Sequence, residues 1–169
     1  FDRKGEFHLE RYVSAHAIMI AFEGIPAIYF NSMFGTSNDE AKFIITGNNR
    51  DVNRYRWNLK NIMKKLNDTK TKQSIFYKKI SHLLNIRRKH KAFHPNALRL
   101  NLNFGPKIYA FKRVSNDKKQ TIICITNMSS QIKKIKIKIK KQIMKNLFNP
   151  KIEIEKKQML ILKPFETLW

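Results

Sequence analysis

The sequence predicts an α/β half followed by an all-β half, on three observations. A segment of helical period over residues 9–22 passes through Gly24 and Pro26 into a short apolar run, residues 25–30, as a helix feeding a buried strand would. A polar, glycine-punctuated stretch over residues 31–57 follows, and two more segments of helical period come after it. From about residue 93 the apolar period shortens to two, in brief runs separated by turn residues.

Taken in order, Leu9, Val13, His16, Ala17 and Ile20 recur at three- and four-residue spacing and define the first helix. Gly24 and Pro26 stop it, and Ile25 to Phe30 reads as a buried strand of the parallel kind, ending in a polar loop. That loop carries Asn48, Asn49, Arg50, Asp51, Asn53 and Arg54, the composition of a ligand site at the carboxyl end of a strand. A stretch of this length without a sustained period inside a domain is usually functional or a substructure of its own. Leu59, Ile62, Met63 and Leu66 mark a short amphipathic helix. Residues 68–71 break it and cap a longer helix with Phe76, Ile80, Leu83, Leu84 and Arg87 on one face, ending near His90.

The second half predicts strands over residues 98–102, 108–114, 121–126, 132–140, 152–155 and 159–162, with turn material at Gly105-Pro106, Asn116-Asp117 and Asn149-Pro150. Links this short argue an antiparallel sheet. Strict alternation over residues 135–140 puts isoleucines on one face and lysines on the other, the pattern of a half-buried strand rather than of a basic tail. The first half poses a separate difficulty. A single parallel strand has no neighbour to satisfy its backbone N–H and C=O groups, so the strand calls for a sheet from elsewhere and the chain is expected to be truncated.

Charge alone suggests a nucleic-acid or membrane-surface partner, because 35 Lys+Arg against 12 Asp+Glu give a net charge of +23. The excess is mostly lysine, 26 against 9 arginines, whereas readers of bases and phosphates favour the arginine fork. It also accompanies 22 isoleucines and only 3 valines, a drift that touches core and surface alike, so compositional bias is the preferred reading. A basic nucleic-acid-binding protein stays as the rival of a different class. The longest apolar stretch is interrupted by His16, Glu23, Gly24, Pro26 and Asn31, which argues against a membrane span. Cys124, the single cysteine, permits no internal disulfide and fits a reducing, cytoplasmic setting.

The run Gly24-Ile-Pro-Ala-Ile-Tyr-Phe30, then Gly35, Asn38-Asp39 and Thr46-Gly-Asn-Asn-Arg-Asp-Val-Asn-Arg54, resembles the C-terminal part of the α-amylase superfamily (glycoside hydrolase family thirteen). It is most similar to the sucrose phosphorylase-like branch. Ile86-Arg87, the Ala92-Phe-His-Pro-Asn-Ala97 segment, and Leu162-Lys-Pro-Phe165 with Trp169 extend the resemblance over nearly the whole chain. The resemblance implies the C-terminal end of a (β/α)8 barrel over residues 1–92, with residues 25–30 as its eighth strand, and a small antiparallel β-sheet domain over residues 93–169. It implies glucosyl transfer from sucrose, a phosphorylated sucrose or glucosylglycerate to inorganic phosphate, with retention and without a cofactor. A hydrolase or transglucosylase of the same superfamily is the alternative. By position, Arg54 is the residue that bonds a sugar hydroxyl, with Arg50 the nearby alternative; an Arg50–Asp51 ion pair stabilising the loop is the structural reading of that pair. Tyr29 is expected to pack in the barrel interior or else to line the site.

The reaction itself is not expected from this chain. Retaining chemistry needs two carboxylates about 5–5.5 Å apart, and the family places its own on earlier strands. Glu23, Asp68 and Asp117 read as helix-end, cap and turn residues, Glu153, Glu155 and Glu166 belong to the β half, and Asp39 and Asp51 match no catalytic position. His90 and His94 are separated by four positions but Pro95 ends any helix between them, and no metal-ligating spacing occurs. The chain alone is therefore expected to be inactive.

Overall fold

The computed structural model describes residues 5–137, 143–151, 153–155 and 158–169. Two compact units emerge, one formed by Ala27–Leu83 and the other by Gly5–Pro26 with Leu84–Trp169.

The first unit is helical. It holds α2 (Phe30–Met33), α3 (Glu40–Thr46), a single 3-10 turn (Asn49–Asp51), α4 (Leu59–Asn67) and the first part of α5 (Lys72–Lys89). Three of these helices, α3, α4 and α5, start on side-chain caps. Asp39 accepts from the Lys42 N–H at 3.1 Å, Asn58 from the Asn61 N–H at 3.3 Å, and Thr71 Oγ1 from the Ser74 N–H at 3.2 Å. The predicted face of α5 is the buried one, with Phe76, Ile80 and Leu83 inside, joined in the core by Ile62 and Phe34. Phe34 stacks on Tyr77 at 5.7 Å. Gly35 turns the chain at φ +55°, and a Cβ built there falls 2.6 Å from the Phe76 ring.

Two expectations are corrected here. Residues 25–29 form no strand, and Phe30 opens a helical turn instead. Among the described residues no strand pairs with this segment, and Ile25 is 85% and Phe30 57% exposed. The stretch expected as one long loop contains α3. Its boundaries were written in Asp39-Glu40 and in Gly47, which ends it at φ +63°, but the contiguous Phe43, Ile44 and Ile45 gave no helical period.

The second unit joins α1 (His8–Ala21) to the sheet strands. Strands β1 (Leu98–Leu102), β2 (Ile108–Val114), β3 (Thr121–Asn127) and β8 (Thr167–Leu168) form one antiparallel sheet in the order β1-β2-β3-β8. Two antiparallel pairs accompany it, β4 (Lys133–Lys136) with β7 (Met159–Leu162), and β5 (Ile143–Lys145) with β6 (Glu153–Glu155). The antiparallel expectation holds, and β2 and β7 match their predicted bounds. The short β5 and β8 were not anticipated. Ile135 and Ile137 are buried while Lys134 and Lys136 are exposed, so the alternation works as a half-buried strand; residues 138–140 of that run lie outside the described residues. Ile135 and Ile137 meet Ala110, Ile125, Ile154, Leu160 and Leu162 in a single apolar cluster.

The C-terminal end of α1 is closed by arginines. Arg87 reaches the carbonyl of Ile20 and donates to those of Phe22 at 2.8 Å and Gly24 at 2.6 Å. Arg113, on β2 and fully buried, donates to Ala21 O at 2.7 Å, His94 O at 2.7 Å and Ala97 O at 3.1 Å. The last carbonyls of a helix have no partner within it, and cations suit that end. Burial pushes both guanidinium pKa values down, yet an arginine remains charged in a protein.

Candidate functional site

The loop over residues 46–55 is fixed by its own small polar residues. Thr46 Oγ1 donates to Lys42 O at 3.0 Å and accepts from the Asn48 N–H at 3.3 Å. Asn48 Oδ1 takes the Arg50 N–H at 3.0 Å, starting the 3-10 turn, and Asn48 O takes the Asp51 N–H at 2.9 Å. The Asp39 N–H, at the cap of α3, donates to Val52 O at 2.6 Å and ties the far side of the loop to that helix. Asn31 secures the exit. It is buried, and its Nδ2 group donates to Tyr55 O at 3.0 Å, with longer contacts to the Tyr29 hydroxyl at 3.3 Å and to Asn53 O at 3.5 Å.

This framework presents an open hollow of about 410 Å³ lined by Tyr29, Asn49, Arg50, Asn53 and Arg54. The two residues expected to bind substrate, Arg50 and Arg54, thus lie on one surface. Tyr29 joins them; it is exposed rather than packed inside, and among the described residues no strand pairs with residues 25–29. Asp51 does not pair with Arg50. Its carboxylate sits 3.2 Å from Lys42 Nζ, and hydrogen bonding from Thr46 first, then Lys42, holds its pKa below the usual carboxylate range. Asn31 was missed as a contributor. Its position directly after the Tyr29-Phe30 pair was the available signal, but only the fold shows that it joins Tyr29 to the loop.

The lining offers donors in abundance and, Tyr29 apart, no side chain of the kinds that serve as nucleophile, general acid or general base. Two guanidiniums, two amides and one phenol line the hollow, with no carboxylate, imidazole or thiol. The acids are engaged elsewhere. Glu23 pairs with Arg99 at 2.6 Å, which lowers the carboxyl pKa, and Asp117 accepts from Ser115 Oγ at 2.6 Å and lies 3.5 Å from Lys91. Glu166 accepts from the Lys163 N–H at 2.7 Å. Cys124 is buried and its thiol is pushed far up by loss of solvent. Among the described residues no group of three His, Cys, Asp or Glu side chains could hold a metal ion, and no helix is long and apolar enough to cross a membrane.

Comparison with known proteins decides between the families such a hollow could serve. No protein-family model matches the chain. A glucosylglycerate phosphorylase of Escherichia coli (strain K12) is 39% identical over 95 residues, covering 56% of this chain and 17% of that protein. Another glucosylglycerate phosphorylase, from Allomeiothermus silvanus, is 27% identical over 168 residues, covering 99% of this chain and 28% of its own length. The chain's relatives by sequence are thus glucosylglycerate phosphorylases. Solved structures of an isomaltulose synthase and a trehalulose synthase share its fold. An isomaltulose synthase variant from Erwinia rhapontici NX5, in complex with D-glucose, aligns over 99% of this chain and 38% of its own with a TM-score of 0.71 at 13% identity. The trehalulose synthase MutB from Pseudomonas mesoacidophila MX-45 aligns over 94% and 37% with a TM-score of 0.66 at 14% identity. The chain therefore spans well under a third of the length of these curated phosphorylases and under two fifths of the synthase structures.

Proposed function

We propose that the chain is the C-terminal portion of a cytoplasmic glycoside phosphorylase of the sucrose phosphorylase-like branch. In the whole enzyme a glucosyl group passes from an α-glucoside to inorganic phosphate with retention, through carboxylates supplied by other parts of the barrel. Residues 1–92 complete that barrel, with residues 25–29 as the path of its last strand, and residues 93–169 form the appended sheet domain. Arg54 donates to a hydroxyl of the bound glucosyl group, in the role its position in the motif implies. The 39% identity to a glucosylglycerate phosphorylase carries this reading and favours glucosylglycerate over sucrose as donor. The hollow is consistent with it: donors line one wall and carboxylates are missing from it.

The test replaces the matching segment of the Escherichia coli phosphorylase by this chain and assays the chimera with glucosylglycerate and phosphate. Formation of glucose 1-phosphate by the chimera, and none by the isolated chain, is the expected result. Release of free glucose without phosphate dependence would point to the hydrolase alternative. Turnover by the isolated chain would overturn the assignment of the chemistry to other segments.

A further inference from the structure

The hollow has one property that a pocket for neutral sugar alone does not require. Of its five lining residues, the ionisable ones are Arg50, Arg54 and Tyr29, so near neutral pH every charge on the wall is positive. The acid that stands between the arginines in sequence, Asp51, pairs with Lys42 at 3.2 Å, and its charge also acts on Arg54. Among the described residues neither Arg50 nor Arg54 makes an ion pair within 4.0 Å. The Lys42 pairing is built in, because Lys42 lies on α3, whose cap Asp39 binds the loop again at Val52. A neutral diol offers a guanidinium only single, uncharged acceptors, whereas an oxyanion offers paired charged acceptors that match its planar fork.

We propose that Arg50 is an oxyanion-binding residue, holding the carboxylate of an acidic aglycone or the incoming phosphate while Arg54 serves the sugar. The assignment rests on the phosphorylase reading and goes beyond it by naming the charge class of the second ligand and the residue that reads it. The two arginines are separated by one turn of backbone rather than duplicated in function. Arg50 projects from the 3-10 turn, and Arg54 follows the Asn53 carbonyl that Asn31 contacts. Because both are solvent-exposed, binding to the chain itself is expected to be weak and to fall with ionic strength.

The experiment follows the arginine side-chain Nε–Hε resonances of the 169-residue chain during titration with sodium phosphate, sodium D-glycerate or glucose, at constant ionic strength with chloride as the control anion. The Arg50 resonance is expected to shift saturably with phosphate or D-glycerate and not with chloride. The oxyanion that saturates at the lower concentration identifies which of the two groups it serves. Arg50→Gln should weaken that binding at least tenfold, Arg50→Lys less, and Arg56→Gln, outside the hollow, not at all. Circular dichroism checks that each variant is folded, and the wild-type resonance remains informative if one is not. Absence of a response beyond that to chloride, or unchanged binding by Arg50→Gln, would overturn the assignment. The glucose arm separates the two readings: an anion response without an Arg54-dependent glucose response counts against the sugar pocket, and the reverse counts against the oxyanion site alone.

Discussion

Arg113 shows how one side chain can settle the geometry of several segments. It is wholly buried, yet it sits among carbonyl oxygens and not beside a carboxylate, joining the end of α1 to His94 and Ala97. Hydrogen bonds to a charged group are each worth roughly 1.5–3 kcal/mol, and truncation also leaves three carbonyls without their donor. Arg113→Ala is therefore expected to cost about 3 kcal/mol or more and to lower Tm by roughly 6–12 °C, read by thermal denaturation. Arg113→Lys should recover little of this, since one ammonium cannot follow the fork to three acceptors. Nothing in the sequence separated this arginine from the lysine beside it in Phe111-Lys-Arg-Val114. Strand alternation tells which face Arg113 occupies, but the carbonyls that make burial tolerable come from two other segments, the end of α1 and residues 94–97.

Elements with complete local instructions were legible; those that depend on partners were not. Helix α4 and the hairpin strands β2 and β3 carry their own period and bounding turns, and they form close to where the sequence puts them. Residues 25–30 carry the composition of a buried strand, but a strand is a property of a pair, and among the described residues they pair with none. Arg50 and Arg54 were readable by motif, while their shared hollow and the diversion of Asp51 to Lys42 needed α3, whose apolar residues hid its period. Gly35 gives a test at this scale. Its left-handed φ and the Phe76 ring 2.6 Å from a built Cβ leave no room for alanine. A non-glycine residue there costs about 1–2 kcal/mol for the backbone, and the displaced ring adds about 1–3 kcal/mol. Gly35→Ala should lower the urea midpoint by an amount worth roughly 2–5 kcal/mol with the m value unchanged. An unchanged midpoint would show that the Phe76 ring does not hold this turn.

At the scale of the whole chain, charge is the property that the fold does not resolve. A net charge of +23 is spread over 169 residues, and the four ion pairs among the described residues are mostly exposed. Exposed pairs contribute about 0–1 kcal/mol each, so they cannot offset mutual repulsion among the remaining lysines. That repulsion acts on the compact state more than on the expanded chain, whose charges lie further apart. Salt screens it, with a Debye length of about 30 Å at 0.01 M falling to about 8 Å at 0.15 M. Thermal stability of this chain should therefore rise with sodium chloride over that range, the opposite of a fold held mainly by surface ion pairs. Neutral osmolytes at matched osmolality serve as the control, since they change hydration without screening charge. A Tm that stays flat or falls with salt would mean that the lysine excess is already balanced locally, and that composition is a poor guide to the electrostatics of this fold.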